Sequence, residues 1–374
     1  MVKAVHAVIG ANYGDEGKGM VSAHLRRFSD PVKTLTVLTN GGAQRGHTVD
    51  DRDGSRFVFH HLGSSMKGDR SATFCPKQFA VNPLVLLQDL SKAASWAVDP
   101  VVYIDPSCPV TTPYDMIADQ VEETLSGMNR RGSTGMGVWN TFHRSRDIRL
   151  EARDLSRPSD LKDVLGQIRS YWFGYFGDRP IPSDYRALFG SFDLRDNWIE
   201  DVGNLFARPG VQLGDPLSGD LFETVVFENA QGLLLDISKG YHATCSRTGA
   251  AAVDDLLKLY GIRVKDPVRL HYVSRTYMTR HGAGPFPEQC PKEFINRDMI
   301  DRTNVPNEWQ GSLRYGLVDW NELSVRTGMD SCDVEDSEYD LVLTHANEYP
   351  CHYEGDNAVV VDNPYMDDDY GLVG

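Results

Sequence analysis

The sequence predicts an α/β protein built on a central, mostly parallel sheet flanked by helices. Three observations carry this. The apolar run Val5–Ile9 runs straight into a glycine-rich turn and then into Met20, Val21, His24 and Leu25 at helical spacing. A second β-like run, Thr34–Thr39, ends in another glycine cluster, Asn40–Thr48. Further short apolar runs alternate with helical patterns along the chain, the signature of βαβ units.

In chain order, Val2–Ile9 reads as a central strand and Lys18–Arg27 as a helix. Asp51–Gly54 reads as a turn, with Phe57–Leu62 as the return strand of a hairpin. Asn82–Ala94 carries a capping asparagine, Pro83 at the first helical position and leucines at 84, 86, 87 and 90, which predicts a packing helix. Val101–Ile104 follows as a strand and Pro113–Leu125 as a helix. Gly177–Asp184, rich in proline, glycine and aspartate, predicts a surface excursion. Asp333–Asp340 reads as an acidic turn leading into the apolar Leu341–Leu343, and Asp367–Asp369 as a solvated acidic tail. The spread of these elements fits one domain over residues 1–374 better than two or three.

Composition sets limits on function. The chain is 41% hydrophobic and 24% charged, enough to bury a large core. Its net charge of −15 argues against a nucleic-acid surface, so anionic substrates must be held by local loops. No apolar run reaches the roughly 18 residues that span a bilayer. The cysteines at 75, 108, 245, 290, 332 and 351 form no CxxC pair and nothing at the N-terminus reads as a signal peptide, which predicts reduced thiols in a cytoplasm.

Chemistry concentrates in the two glycine clusters. Gly10–Gly19 (GANYGDEGKG) lets backbone N–H groups approach a polyphosphate, with Lys18 to offset its charge. The spacing is not GxxxxGK[ST]: Gly19 stands where a hydroxyl would hold magnesium, so an acid must do so, and Asp15 is nearest. A strand, a glycine turn and a helix start with solvated charges is the plainer reading of the same residues. The second cluster, NGGAQRGHT, would converge on the same crevice at the strand ends and bring His47 as a proton donor.

Taken together, the motifs resemble the adenylosuccinate synthetase family, whose first loop reads GDEGKG and whose second reads GGxNAGHT. Ser133–Gly137 (STGMG) is similar to its phosphate loop, Phe227–Asp236 (FENAQGLLLD) to its FEGAQGxLLD segment, Tyr241–Ala250 (YHATCSRTGA) to a segment holding the monophosphate, and His281–Pro287 (HGAGPFP) to its GAGPFP. The resemblance implies a P-loop NTPase-like fold and a homodimeric carbon–nitrogen ligase. In that reaction oxygen 6 of a purine nucleotide is phosphorylated, and aspartate then displaces the phosphate. It implies Asp15 as the base for N1 and a Mg²⁺ ligand, and His47 as a hydrogen-bond donor to the moving phosphoryl group. Gly14, Glu16, Gly17, Lys18, Gly19 and Thr48 would surround the triphosphate, with the Gly46 carbonyl on the metal. Ser133, Thr134 and Thr244 would hold the 5′-phosphate and Gln231 the base, while Arg144 or Arg146 would cross a dimer interface to the same phosphate.

The chain also departs from the family pattern. Gln44 and Arg45 replace the asparagine and alanine of NAGHT, altering the purine-facing wall. The arginine-rich aspartate loop TTGRRRR thins to Trp309–Gly316 (WQGSLRYG), leaving Ser312 and Arg314 to bind aspartate. The guanine-reading TKxD becomes Leu343–Asn347 (LTHAN), where an asparagine can pair with adenine, so ATP or dATP becomes the expected donor. These departures resemble the phage branch of the family, which joins aspartate to dGMP, although the retained Asp15 leaves IMP chemistry open. A non-catalytic nucleotide-binding regulator is the reading from another class. Asp15, His47 and Arg314 together oppose it.

Overall fold

The computed structural model describes residues 2–26, 29–50, 54–64, 72–94, 99–239, 246–301, 304, 306, 310–350, 353, 355 and 357–361. Thr244 and the 367–369 acidic run lie outside them. The strands are β1 (Ala4–Gly10), β2 (Thr34–Leu38), β3 (His47–Asp50), β4 (Arg56–Phe59), β5 (Ala72–Cys75), β6 (Val101–Ile104), β7 (Val211–Leu213), β8 (Thr224–Glu228), β9 (Val268–Arg275), β10 (Met278–Arg280), β11 (Gln289–Cys290), β12 (Arg314–Gly316), β13 (Ser337–Thr344) and β14 (Ala358–Val361). The helices are α1 (Lys18–Leu25), α2 (Pro83–Ala94), α3 (Pro113–Ser126), α4 (Val138–Arg144), α5 (Pro158–Phe176), α6 (Ser183–Gly190), α7 (Phe192–Phe206), α8 (Ala250–Leu259), α9 (Lys292–Asn296) and α10 (Trp320–Ser331).

Nine strands form one sheet in the order β14-β13-β9-β1-β8-β2-β5-β6-β7, and every pairing in it is parallel. The predicted α/β class is borne out. All five residues of β2 are buried, as a parallel strand covered on both faces requires. On one face α1 lays Val21 and Leu25 against Val8, Val226, Val273 and Val342. A larger core, including Leu86, Tyr114, Ile117, Leu165, Trp172 and Trp198, binds α2, α3, α5 and α7 together.

Local signals explain the starts of several elements. Asn82 Oδ1 accepts from Leu84 N (3.1 Å) and Val85 N (3.4 Å), capping α2 as expected. Thr112 and Asp115 form a reciprocal capping box on α3. The hairpin β3–β4 has the register His47↔Phe59, so His47 starts a strand instead of sitting in the glycine loop. Two sequence readings change here. Gly177–Asp184 links two packed helices, and Ile181 within it is only 7% exposed. Half of the acidic Asp333–Asp340 turn is strand, because β13 begins at Ser337 and pairs there with Val268 of β9.

Because the large sheet is parallel, the C-terminal ends of β1, β2, β8, β9 and β13 share one edge. Their outgoing segments carry the glycine turn, the Gln44–Gly46 loop leading into His47, and Gln231, His281 and His345. This is the edge at which open α/β sheets bind ligands.

Candidate active site

A cavity of about 820 Å³ opens along that edge. It is lined by Gly14, Asp15, Glu16, Gly17, Lys18 and Gly19, by Gln44, Gly46, His47 and Thr48, and by Ser133, Thr134 and Gln231. The structure therefore brings most of the expected residues into one place. Arg144, Ser312, Arg314 and Asn347 do not line it.

The first turn is built from left-handed backbone: Gly14 (φ 96°), Asp15 (φ 59°) and Gly17 (φ 92°). Asp15 is not a glycine, so its conformation needs an external hold. Arg275 Nε supplies one by donating to the Asp15 carbonyl at 2.5 Å. The Asp15 carboxylate stays 29% exposed in the cavity, 3.7 Å from His281 Nε2. Gly19 allows α1 to close on β3, since a Cβ there would lie 2.9 Å from the Thr48 carbonyl.

Glu16 and Lys18 face inward. Glu16 Oε1 accepts from Asn12 N at 2.5 Å and Oε2 has no hydrogen-bond partner among the described residues, while Lys18 Nζ donates to the Gln231 carbonyl at 2.7 Å. Burial pushes the Glu16 carboxyl up to about 7, and Lys18, 3.9 Å away, only partly opposes this. Burial also pulls the Lys18 ammonium down. Gln231 is itself left-handed (φ 65°), which turns its carbonyl to Lys18. Its Oε1 is buried without a hydrogen-bond partner among the described residues, as are both amide atoms of Gln44.

His47 departs from expectation. Its Nδ1 lies against Glu228 Oε1 and 2.7 Å from Arg45 Nη2, and Glu228 also accepts from Arg45 Nη2 (2.5 Å), Ser64 Oγ (2.5 Å) and Ser64 N (3.0 Å). Burial, followed by the Arg45 charge, holds the imidazole down to about 3. His47 is thus a neutral ring near pH 7, and the expectation of a proton donor with a near-neutral pKa is corrected. What remains is hydrogen bonding: with Nδ1 accepting from Arg45, Nε2–H donates, whereas with Nδ1–H given to Glu228, Nε2 accepts.

The loop that carries Ser133–Gly137 is held by acids packed against it. Asp119 Oδ2 accepts from Ser133 Oγ (2.7 Å) and Gly137 N (2.9 Å), and Glu123 accepts from the N–H groups of Arg131 (3.3 Å) and Gly132 (3.2 Å). Gly137 (φ 71°) caps α4, and a Cβ there would lie 2.7 Å from the α3 backbone at Asp115 and Met116, so only glycine fits. Thr134 lines the cavity next to Ser133.

Arg144 is a correction. It is fully buried, donating to both Asp115 oxygens (3.1 and 2.9 Å) and to the carbonyls of Ile148 (2.9 Å) and Val110 (2.8 Å). It cannot reach across an interface. Arg146, two residues on, is exposed. Arg314 gives its guanidinium to Gly284 O (3.0 Å) and Gln289 Oε1 (3.1 Å), and Asn347 sits in an exposed turn after β13.

Sequence reasoning missed Arg275, Glu228, Arg45 as a partner of His47, His281 and Asn304. Glu228 and His281 lie inside quoted motifs, but nothing in their spacing showed that they meet His47 and Asp15. Among the described residues no cluster of three or more His, Cys, Asp or Glu is placed to hold a metal ion, and no helix is long and apolar enough to cross a membrane. Cys75, Cys108, Cys290 and Cys332 are free thiols.

Comparison with known proteins places this geometry. The adenylosuccinate synthetase family model matches residues 7–305. Adenylosuccinate synthetase of Methylibium petroleiphilum is 29% identical over 312 residues, covering 78% of this chain and 65% of that protein. That of Alkalilimnicola ehrlichii is 30% identical over 304 residues, covering 77% and 65%. The match thus spans slightly under two thirds of the length of these relatives. Among solved structures, fully ligated adenylosuccinate synthetase from Plasmodium falciparum superposes with a TM-score of 0.67 at 19% identity, covering 90% of this chain and 76% of that one. Cyanophage S-2L succinoaminodeoxyadenylate synthetase, bound to dGMP and dATP, gives 0.62 at 15%, covering 94% and 87%. The fold is shared with both, and by the family match the chain belongs to the adenylosuccinate synthetase family.

Proposed function

We propose that this protein is a carbon–nitrogen ligase that joins L-aspartate to C6 of dGMP, with ATP or dATP as phosphoryl donor. The observation that carries the reading is the gathering of Asp15, Lys18, His47, Thr134 and Gln231 around one cavity at the C-terminal edge of the sheet. Asp15 takes the proton from N1, which makes oxygen 6 nucleophilic toward the γ-phosphorus, and ADP or dADP leaves. The aspartate amine then attacks C6, inorganic phosphate departs, and the amine proton passes to solvent. His47 Nε2, with Nδ1 accepting from Arg45, donates to the phosphoryl oxygens as charge builds on them.

Magnesium fits the donor chemistry. The partly open Asp15 carboxylate and the carbonyl of Gly46, an exposed residue, are hard oxygen donors, and this ion is held by few protein ligands together with phosphate oxygens and water. When bound it would offset charge on the triphosphate.

Two observations favour dGMP: the Gln44–Arg45 wall, whose Gln44 amide lacks partners, and the dGMP-bound cyanophage neighbour. Relatives named adenylosuccinate synthetase favour IMP as the second reading. Arg314 and Ser312 are the candidates for aspartate, Thr244 for the 5′-phosphate, and Asn347 for the donor base. A homodimer would bring Arg146, not Arg144, to the partner's phosphate site. The test is release of inorganic phosphate with dGMP, ATP, magnesium and aspartate, each omitted in turn. The reading requires dependence on all four, and phosphate release without aspartate, or none with the complete mixture, overturns it.

A further inference from the structure

Two arginines face each other across the small antiparallel sheet. Arg280 of β10 is directly opposite Arg314 of β12, so their side chains leave the same face. Arg280 Nη1 donates to the Pro285 carbonyl and Nη2 to the Ala283 carbonyl (2.8 Å each), and Arg314 Nη2 donates to the Gly284 carbonyl (3.0 Å). The Arg280 guanidinium also lies 4.5 Å over the Tyr13 ring and that of Arg314 5.5 Å over Phe286, two rings that meet edge to face at 5.4 Å. Tyr13, Arg280, Ala283 and Gly284 line the cavity, and Tyr13 stands two residues before Asp15.

The pair is short of negative charge. Its partners are neutral oxygens, Gln289 Oε1 on Arg314 included (3.1 Å), and ring faces, and neither guanidinium meets a carboxylate among the described residues. Each has five N–H donors, and the Nε of both is buried with no hydrogen-bond partner among the described residues. Arg280 is only 4% exposed. Other buried arginines of this chain do have a counter-charge: Arg45 pairs with Glu228, Arg144 with Asp115 and Arg275 with Asp301. Like charges directly opposite on a strand pair repel, and a buried charge without an opposite one is costly, so this wall favours an anionic ligand.

We propose that Arg280 is the specificity-determining residue for the amino-acid substrate, gripping a carboxylate of aspartate from the cavity wall, with Arg314 beside it as a second positive charge. This rests on the proposed function, in which aspartate attacks close to Asp15. In that reading the other anionic groups have their own parts of the cavity, the triphosphate at the Gly14–Gly19 turn and the 5′-phosphate at Ser133 and Thr134. The planar guanidinium fork matches a carboxylate, and the cavity places Arg280 ahead of Arg314 in this role, because Arg280 lines it and Arg314 does not.

The test is kcat and KM for aspartate, dGMP and ATP in the wild type, Arg280→Met, Arg280→Lys and Arg314→Met. Arg280→Met should raise KM for aspartate by about tenfold or more, the scale of a hydrogen bond to a charged group, while KM for dGMP and ATP stays within about threefold. Arg280→Lys, which keeps the charge and loses the fork, should fall between wild type and Arg280→Met, and Arg314→Met should raise KM for aspartate less than Arg280→Met does. A KM for aspartate that is unchanged in Arg280→Met, or raised no more than in Arg314→Met, overturns the assignment and leaves the proposed function standing. Arg280 also braces the Ala283 and Pro285 carbonyls, so an equal rise in KM for dGMP marks a displaced loop and overturns the assignment as well. If Arg280→Met does not fold, Arg280→Lys decides, and a KM for aspartate equal to that of the wild type overturns the assignment. A wild type that forms no aspartate adduct overturns both.

Discussion

Arg275 holds the carbonyl of Asp15 across 2.5 Å, so a side chain at the end of β9 fixes the backbone of the residue read as the catalytic base. Asp15→Asn should lower kcat by about 10²-fold or more, because an amide cannot take the N1 proton. Arg275→Met should lower kcat by up to about 10²-fold with a smaller effect on KM for the monophosphate, since it lets the base drift without removing a substrate contact. Steady-state kinetics on protein shown to be folded by circular dichroism decides this. An unchanged kcat in Arg275→Met would reduce the contact to packing.

Glu16 gives a prediction with a definite sign. Its folded pKa is raised to about 7, above the unfolded value, so the folded state binds the extra proton between the two. Stability is therefore highest below about 4.5 and declines as pH rises through about 7. Glu16→Gln should stabilise the protein at pH 8 by about 3 kcal/mol at most, with the gain vanishing near pH 4.5. Urea unfolding at both pH values measures it. A gain that is equal at the two would contradict burial of the charge as its cause.

Arg144 predicts instability instead of a binding defect. Arg144→Met would strip the buried Asp115 carboxyl, which also accepts from Trp172 Nε1 at 3.0 Å, of its guanidinium partner, costing about 3–5 kcal/mol. Thermal denaturation should show the loss, and KM for the monophosphate should hold in protein that remains folded. Arg146→Ala should show the reverse pattern, raising that KM with little change in Tm.

The donor base tests Asn347. ATP or dATP should exceed GTP in kcat/KM, and Asn347→Asp should weaken ATP use by about 1–3 kcal/mol. Equal use of ATP and GTP by the wild type would return Asn347 to an ordinary turn residue.

Much of the frame was legible because parallel strands are short, apolar and followed by glycine turns. β1, β2, β6, α2 and α3 lie where the residues place them, and the turn at Gly14–Gly19 reads directly from its glycines. The long helical layer α5–α7 was not legible around Gly177–Asp184, because local proline and glycine outweighed the apolar Ile181 that packs there. At the site, residue types were legible but pairings were not. Arg144 and Arg146 look alike in sequence, and only the fold buries one against Asp115. Glu228 and Arg45 stand 183 residues apart, so their grip on His47 belongs to tertiary structure.

The most direct measurement is product formation, followed by mass spectrometry, from dGMP, GMP and IMP side by side with aspartate, ATP and magnesium. The account predicts an aspartate adduct at C6 formed fastest from dGMP, with stoichiometric ADP and phosphate. Faster adduct formation from IMP, or no adduct from any of the three, would contradict it.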